Sequence, residues 1–240
     1  MKYLRRTLAV LLFLPPAAAA TPFGDFQSKV NSANLKPFAL DLGGILGGAA
    51  FHSGRALGFP GFDIGLVGTV QFRPDRDDTI LRDAGVQRFG IPLVQAEIGL
   101  PYNFDVIAHG MTGQGARIFG AGLRYGVRKS AILSVMPDIA VSAFADRVNH
   151  TFFNATHYSL NAVLSFNLPI LHPYIGLGWD HTKVNVGSAS TPGMTGLSAT
   201  ARGSRASLGV DFSVPFFHAY GAYTFLHGLP GMDIGLGTRF

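Results

Sequence analysis

Histidine and aspartate residues near the ends of predicted strands have the side chains for general acid–base chemistry. His150 and His157 flank one predicted outer loop, and the adjacent pair Asp180 and His181 stands at another strand end. A histidine beside a carboxylate can act as a general base, so His157 with Asp180 on a neighbouring strand is the best enzymatic combination. No hydrolase signature surrounds these four weak catalytic candidates, and eight histidines in 240 residues need no catalytic explanation.

A second set of polar side chains alternates with apolar residues and would face the interior of a closed sheet. Charged groups in such an interior must pair or meet water, because an unpaired charge in a confined site is costly. We expect a structural, salt-bridged role for them, with ion selectivity as the alternative where a water path exists. The predicted lumen-lining polar residues are Glu97, Asp105, Arg124, Asp138, Asn161, Arg205, Asp211 and Arg239.

Metal and cofactor chemistry has little support in the sequence. The chain contains no cysteine, which excludes disulfides and thiolate metal sites. The acidic run at 75–78 is interrupted by Arg76 and lacks the spacing of a calcium loop, and no His-x-x-x-His pair occurs. Gly113-Gln114-Gly115 lacks the lysine of a phosphate-binding loop. We therefore expect neither a metal nor a cofactor.

Ten segments with period-2 alternation predict the elements that position these side chains. Each is near the 9–11 residues that a tilted membrane-spanning strand needs. In one of the cleanest, Leu160 and Ala162 point to the side opposite Asn161. The segments lie at about 62–72, 94–100, 102–109, 119–127, 137–145, 159–167, 174–180, 205–214, 218–226 and 232–240.

The first 20 residues have the features of a secretory signal peptide. A basic start is followed by an apolar stretch at 8–14, which is too short to span a membrane, and by four alanines ending at Ala20. Cleavage near Ala20 would remove Lys2, Arg5 and Arg6 and reduce the net charge from +5 to +2. Because the remainder shows no basic stripe, nucleic-acid binding is not expected.

The composition of the remainder favours strands that face lipid. Charged residues make up only 14% of the chain, against about 25% in a typical soluble domain. The mean hydropathy is +0.28, yet no stretch after residue 20 is long and apolar enough for a transmembrane helix. An exported chain of this kind is best explained by apolar residues on alternate positions of a closed sheet.

The C-terminal strand carries the most specific signal. Residues 232–240 alternate apolar and polar positions and end on Phe240. In this the chain resembles bacterial outer-membrane β-barrel proteins, whose last strand commonly closes this way. The resemblance implies an all-β, transmembrane, antiparallel up-and-down barrel of about 10 strands, with 12 as the alternative, in the bacterial outer membrane. It also implies contact with outer-membrane lipid and lipopolysaccharide, and recognition of the strand ending in Phe240 by the barrel assembly machinery.

The connections between the segments alternate in length. Long polar connections at 73–88, 145–156 and 187–200 alternate with tight ones, although two further connections of the long set are shorter. Membrane barrels have short periplasmic turns and longer extracellular loops. With Phe240 at the periplasmic end, this alternation predicts an even strand number and both termini in the periplasm.

Residues 21–60 do not follow the alternation. They contain a mixed stretch able to form a short helix and an apolar, glycine-rich stretch at 40–51. Two interpretations remain open: a further strand pair, or a plug or periplasmic lid. Predicted inward glycines leave space that favours some filling, although glycine also helps curved strands bend. The predicted organisation is a signal peptide at 1–20, a short helical periplasmic or plug segment at 21–60 and a barrel at 61–240.

The sequence does not specify the role of such a barrel. A narrow passive channel for small solutes or a structural wall protein is the main expectation, because lumens of about ten strands are mostly filled by side chains. The alternatives are a rim enzyme acting on lipid A or peptide, and a surface adhesin that uses the loops at 73–88 and 187–200. An enzyme is the less favoured reading.

Overall fold

The computed structural model describes residues 22–48, 52–131 and 136–240, and within them ten antiparallel strands close into a barrel in sequence order. The predicted ten-stranded up-and-down barrel is therefore confirmed, and the twelve-stranded alternative is wrong. The predicted signal peptide lies outside the described residues. The strands are β1 (Phe62–Gln71), β2 (Phe89–Gly99), β3 (Phe104–Gly113), β4 (Ala116–Arg128), β5 (Asp138–His150), β6 (Phe153–Ser165), β7 (Leu171–Val186), β8 (Ser198–Val214), β9 (Phe217–Leu226) and β10 (Leu229–Arg239).

Three α-helices accompany the barrel in the described residues: α1 (Phe26–Lys29), α2 (Leu35–Gly48) and α3 (Thr79–Asp83). The fold thus includes the short helical N-terminal segment that the sequence predicts. Helix α3 lies in the connection between β1 and β2, and the Asp78 side chain caps it by accepting a hydrogen bond from the Leu81 N–H at 3.1 Å. No helix in the described part of the chain is both long enough and apolar enough to cross a membrane.

The outer face of the barrel carries a belt of exposed apolar side chains. On β4 the outward positions from Phe119 to Val127 are all uncharged and exposed or nearly so. Eight residues rise about 26 Å along a strand, which is about 20 Å along the axis at a tilt of about 40°. This height is close to the apolar band of a membrane barrel. Each of the other nine strands also contributes exposed apolar side chains to this belt. They include Leu66, Val94, Val106, Val141, Leu160, Leu177, Leu208, Tyr223 and Ile234.

The barrel has two different ends. At the end that holds Phe240, a one-turn helix at Pro101–Asn103 joins β2 to β3, and a tight turn joins β8 to β9. We call this the turn end. At the opposite loop end, 72–88 and 187–197 form the longest connections. The predicted loop at 145–156 is wrong, because β5 continues to His150 and β6 begins at Phe153.

The loop-end parts of β5 and β6 carry polar residues outside and apolar residues inside, the reverse of the arrangement in the belt. A search for outward apolar residues therefore does not find them. Arg147 and Asn149 face outward near the loop end of β5, while Val148 between them is fully buried. Beyond the apolar belt the barrel is therefore built like a water-soluble one, with its apolar side chains inside. Phe153 on β6 and Val184 on β7 continue this inner apolar surface.

The N-terminal segment fills that apolar interior. Phe23, Phe26 and Phe38 surround Phe153, with ring centroids 4.7–5.3 Å from it. From this cluster α2, which is about 21 Å long, descends through the lumen towards the turn end and contacts β1, β2 and β6–β9. The segment therefore starts at the loop end, whereas the two ends of the barrel itself, Phe62 and Phe240, lie together at the turn end.

Candidate functional site in the barrel lumen

Four glycines allow α2 to lie directly against the barrel wall. Gly43 faces Thr182, and Gly48 faces Thr69. A β-carbon at Gly47 would stand 2.6 Å from both Arg205 Nη2 and Asp180 Oδ1. Each glycine in a helix interior costs about 1 kcal/mol relative to alanine. Four of them in fourteen residues therefore indicate that close approach to the wall decides this sequence.

The polar group under Gly47 is centred on Asp180. Arg205 Nε donates to Asp180 Oδ2 at 2.6 Å, and Arg205 Nη2 donates to Asp180 Oδ1 at 3.1 Å. His227 Nε2 lies 2.8 Å from Oδ2, and His157 Nε2 lies 3.6 Å from Oδ1. We call these four residues the Asp180 cluster. They are almost completely buried, so the cluster is an ion-paired support beneath the helix.

His227 links this cluster to the helix itself. Its Nδ1 lies 2.9 Å from the Leu40 carbonyl oxygen, and its Nε2 lies 2.8 Å from the Asp180 carboxylate. Both partners are acceptors, so the two bonds form together only when both ring nitrogens carry a proton. His227 sits in the turn between β9 and β10, so a strand connection, the wall and α2 share one hydrogen-bonded unit.

The structure brings the predicted pair His157 and Asp180 together, but in a sealed position. Thr182 Oγ1 lies 2.9 Å from His157 Nδ1, which gives a hydroxyl, an imidazole and a carboxylate in sequence. His157 is completely buried, and Gly43 of α2 lies against Thr182. A general base must reach the proton that it removes from a substrate. This arrangement therefore serves packing and hydrogen bonding.

The other two catalytic candidates lie elsewhere. His181 faces outward on β7, where its Nδ1 accepts a hydrogen bond from Arg202 Nε at 3.2 Å. His150 lies at the loop end, with its ring 4.9 Å from that of Phe153 and 5.4 Å from that of Phe23. The four candidates thus do not form one site.

A second ion-paired group lies nearer the turn end. Arg124 on β4 pairs with Glu97 on β2 and, at 2.9 Å, with Asp105 on β3. Asp105 also accepts hydrogen bonds from the backbone N–H groups of Leu57 and Gly58 at 3.1 and 3.4 Å. The connector between α2 and β1 is therefore fixed to the wall by the same carboxylate that pairs with Arg124.

All eight predicted lumen-lining residues lie on the inner face of the barrel. Asn161 accepts a hydrogen bond from Arg205 at 2.7 Å. Arg239 donates to Asp63 at 3.1 Å. Asp138 lies 3.9 Å from Arg55 of the connector. Asp211 is buried near the turn end. Seven of the eight are buried and Arg239 is half-buried, so in this structure they support the wall and the N-terminal segment.

Sequence reasoning missed an acidic pair beside the middle of α2. Asp41 accepts hydrogen bonds from Gln71 Nε2 and from the Asp75 N–H, both at 2.7 Å. Its carboxyl also meets that of Asp78, which lies in the connection between β1 and β2. Burial and the neighbouring carboxylate raise the pKa of Asp78, and burial raises the pKa of Asp41. A signal was available, since Asp41 is the one acidic residue in an otherwise apolar stretch.

Histidine and aromatic side chains occupy the lower lumen. The ring of His52 stacks on that of Tyr220 at 4.3 Å, and burial lowers the pKa of His52. Inward glycines make room for such rings: a β-carbon at Gly209 would stand 2.6 Å from Tyr174, and Gly122 lies against Phe144. In the described ranges, no cluster of three or more histidine or acidic residues has a metal-binding arrangement.

Comparison with known structures returns bacterial membrane barrels, all at low similarity. Ail, the attachment invasion locus protein of Yersinia pestis, is 17% identical with a TM-score of 0.34, over 76% of this chain and 100% of that one. Neisserial surface protein A is 13% identical with a TM-score of 0.31, over 75% and 95%. The translocator domain of the autotransporter NalP from Neisseria meningitidis is 12% identical with a TM-score of 0.40, over 76% and 88%.

Comparison of sequences identifies the family. No curated protein matches the chain. Residues 78–240 match the profile of a family of unknown function, DUF6588, and the chain belongs to that family. The matched region begins at the α3 cap and covers β2–β10, so α2 and β1 lie outside it.

Proposed function

We propose that this DUF6588 member is a wall protein of the bacterial outer membrane whose barrel is sealed by α2. The observation that carries the proposal is the seat of α2 in the lumen, where the helix lies against the Asp180 cluster at Gly47. Of the two expected roles, this favours the structural wall protein over the passive channel for small solutes.

The membrane location is supported by the outer face. The apolar belt is about 20 Å high along the axis, and exposed aromatic rings such as Tyr125 and Phe240 border it at the turn end. Burial of exposed apolar area is worth about 25 cal/mol per Å². A belt around the whole barrel would be very unfavourable in water, whereas it matches the interior of a bilayer.

The seal is supported by the way α2 is held along its length. Asp41 fixes its middle to Gln71 and Asp75, and His227 binds the Leu40 carbonyl. Beyond its end, Asp105 binds the backbone of the connector. Eleven of its fourteen residues are buried. A helix held at its middle and just beyond its end, and packed against several strands, blocks the path of solutes.

Planar-bilayer recording tests this proposal. Refolded protein should show no stepwise conductance above the protein-free background, whereas a variant lacking residues 22–48 should show ion-conducting steps. A control variant with the outward substitution Gly221→Leu on β9, where a β-carbon meets nothing within 4 Å, leaves α2 in place and should stay silent. Steady conductance of the intact protein, comparable with that of the variant without α2, would overturn the seal and favour the passive channel.

The enzymatic and adhesive alternatives have less support. His157 and Asp180 are sealed beneath α2, and His181 and His150 lie apart from them. The loops at 72–88 and 187–197 are partly folded onto the N-terminal segment, since Gln27 Nε2 donates to Ser188 Oγ at 3.0 Å and Asp41 binds Asp75. Their contacts are thus used to close the loop end.

A further inference from the structure

Apart from Arg128 at the turn end of β4, the outward charges of the described strands are concentrated on one side of the loop end. Arg117 on β4, Arg147 on β5, Lys183 on β7 and Arg202 on β8 are all exposed and stand just beyond the apolar belt. We call these four residues the basic patch. On the outward faces of β1, β2, β3, β9 and β10 the described strands carry no charged side chain.

The strand register brings the members of the basic patch together. Arg147 is directly opposite Thr156, and Thr156 is directly opposite Lys183, so one small polar residue separates the two cations. Arg202 is opposite His181, two positions from Lys183 on the same face of β7. With neighbouring strands about 4.8 Å apart, Arg147 and Lys183 stand about 10 Å apart, within reach of one doubly charged ligand.

No acidic partner within the wall neutralises the basic patch. Arg147 and Lys183 form no ion pair among the described residues, and the outward positions of β4–β8 near the loop end carry no aspartate or glutamate. Arg202 contacts His181. Adjacent cations without counter-charges attract an anion, and arginine is well suited to phosphate because its planar group donates two parallel hydrogen bonds.

An apolar groove runs along the wall from the basic patch towards the turn end. Its upper part, of about 550 Å³, is lined by Tyr158, Trp179, His181 and Arg202. Its lower part, of about 570 Å³, continues past Leu177 to Phe104 and Tyr125. Ala143, Leu160 and Trp179 belong to both parts, so the groove is continuous. Small residues form its floor: Ala143 lies opposite Leu160 and Leu123.

We propose that the basic patch and the groove together bind one phosphorylated glycolipid of the outer leaflet, such as lipid A. Its phosphate groups would meet Arg147, Lys183 and Arg202, and one acyl chain would lie in the groove over Ala143. The basic patch and the groove follow the order of a lipid in the membrane. The cations lie at the depth of the headgroups, and the apolar groove lies beneath them at the depth of the acyl chains. The inference rests on the proposed outer-membrane location but not on the seal by α2.

Native mass spectrometry of the detergent-purified protein with bisphosphorylated lipid A tests this site. The substitution set Arg147→Gln, Lys183→Gln and Arg202→Gln should weaken binding about tenfold or more, since it removes three charge-assisted contacts. A matched set in the β1–β2 connection, Arg73→Gln, Arg82→Gln and Arg88→Gln, removes the same charge and should leave binding unchanged. Removal of the phosphates from lipid A should weaken its binding to the native protein. The loss should be as large as the loss that the triple variant at Arg147, Lys183 and Arg202 shows with bisphosphorylated lipid A.

The groove has its own test. Ala143→Trp should fill the floor and weaken lipid A binding, while Ala96→Trp on β2, also outward but on the uncharged side, should not. The proposal would be overturned if the triple variant at Arg147, Lys183 and Arg202 bound lipid A as tightly as the native protein does. It would also be overturned if the native protein bound phosphate-free lipid A as tightly as bisphosphorylated lipid A. Heat-dependent gel mobility confirms that each variant is folded. A processed chain that stayed monodisperse without detergent would instead contradict the membrane location itself, so the two failures are distinguishable.

Discussion

Gly47 of α2 lies against Arg205 of β8, so closely that a β-carbon at residue 47 would stand 2.6 Å from the guanidinium Nη2. The helix therefore rests on the ion pair between Arg205 and Asp180 without any intervening side chain. Any larger residue at position 47 must displace either the helix or a buried charge from its partner.

Replacement of Gly47 by leucine should destabilise the plugged barrel. We expect a loss of about 1–3 kcal/mol in the free energy of unfolding, because the wall at this point offers no room. The midpoint of urea unfolding, followed by the gel-mobility change of folded barrels, measures it. Gly221→Leu is the matched control, since a β-carbon there meets nothing within 4 Å. Equal midpoints for the two variants would show that α2 does not rest on the wall.

Removal of one partner from the Asp180 cluster should cost more than removal of two. Arg205→Met leaves the Asp180 carboxylate with only its histidine neighbours, and breaking a buried pair costs about 3–5 kcal/mol. Adding Asp180→Asn removes the unpaired charge and should restore part of the lost stability. Denaturant unfolding of the single and double variants measures both effects, with Arg82→Met at an exposed position of α3 as the control. Additive losses in the double variant would contradict the coupling.

The contact between α2 and the β1–β2 connection should loosen as the pH rises. Burial raises the pKa of both Asp41 and Asp78, so the folded protein binds protons on them more tightly than the unfolded chain does. Their contribution to stability is therefore fully present below the ordinary carboxyl pKa of about 4 and is lost as pH rises through the raised values.

Hydrogen exchange at the Asp75 and Leu81 N–H groups, corrected for intrinsic rates, measures this loosening. Protection should fall with rising pH in the native protein. Asp78→Asn should weaken the dependence, because an amide can cap α3 and donate to Asp41 at any pH and only Asp41 then titrates. Asp77→Asn, at an exposed neighbouring position, should leave it in place. Protection that rises with pH in the native protein would show that the pair is not protonated.

The sequence predicts those parts of the structure that contact lipid. Every outward residue of the belt must be apolar because it faces hydrocarbon. The alternating apolar residues, such as Leu160 and Leu177, therefore indicate the ten strands directly. The inward polar residues follow from the same alternation. In the part of β5 that extends beyond the belt, Arg147 faces outward and Val148 faces inward. Because outward residues are polar there, the rule for the belt predicts a loop where the structure has a strand.

The choice between a strand pair and a plug could not be made from the sequence because it depends on contacts between distant residues. The stretch at 40–51 is apolar and glycine-rich, which is compatible with a strand pair or with a helix that lies close to a wall. The choice is decided by partners such as Thr182 for Gly43 and Gln71 for Asp41, which are remote in sequence. Likewise, the proximity of His157 to Asp180 was predictable from strand order, whereas its burial beneath α2 was not.

A disulfide between the helix and the wall tests the central claim most directly. The chain has no native cysteine, and a β-carbon at Gly44 would lie 3.2 Å from that of Leu226, a few tenths of an ångström below the usual disulfide spacing. Gly44→Cys with Leu226→Cys should cross-link nearly completely under mild oxidant in membranes. Gly44→Cys with the lipid-facing Leu208→Cys should not. Efficient cross-linking of the first pair alone is the predicted result; absence of cross-linking in the first pair, in protein shown to be folded, would contradict a helix seated in the lumen.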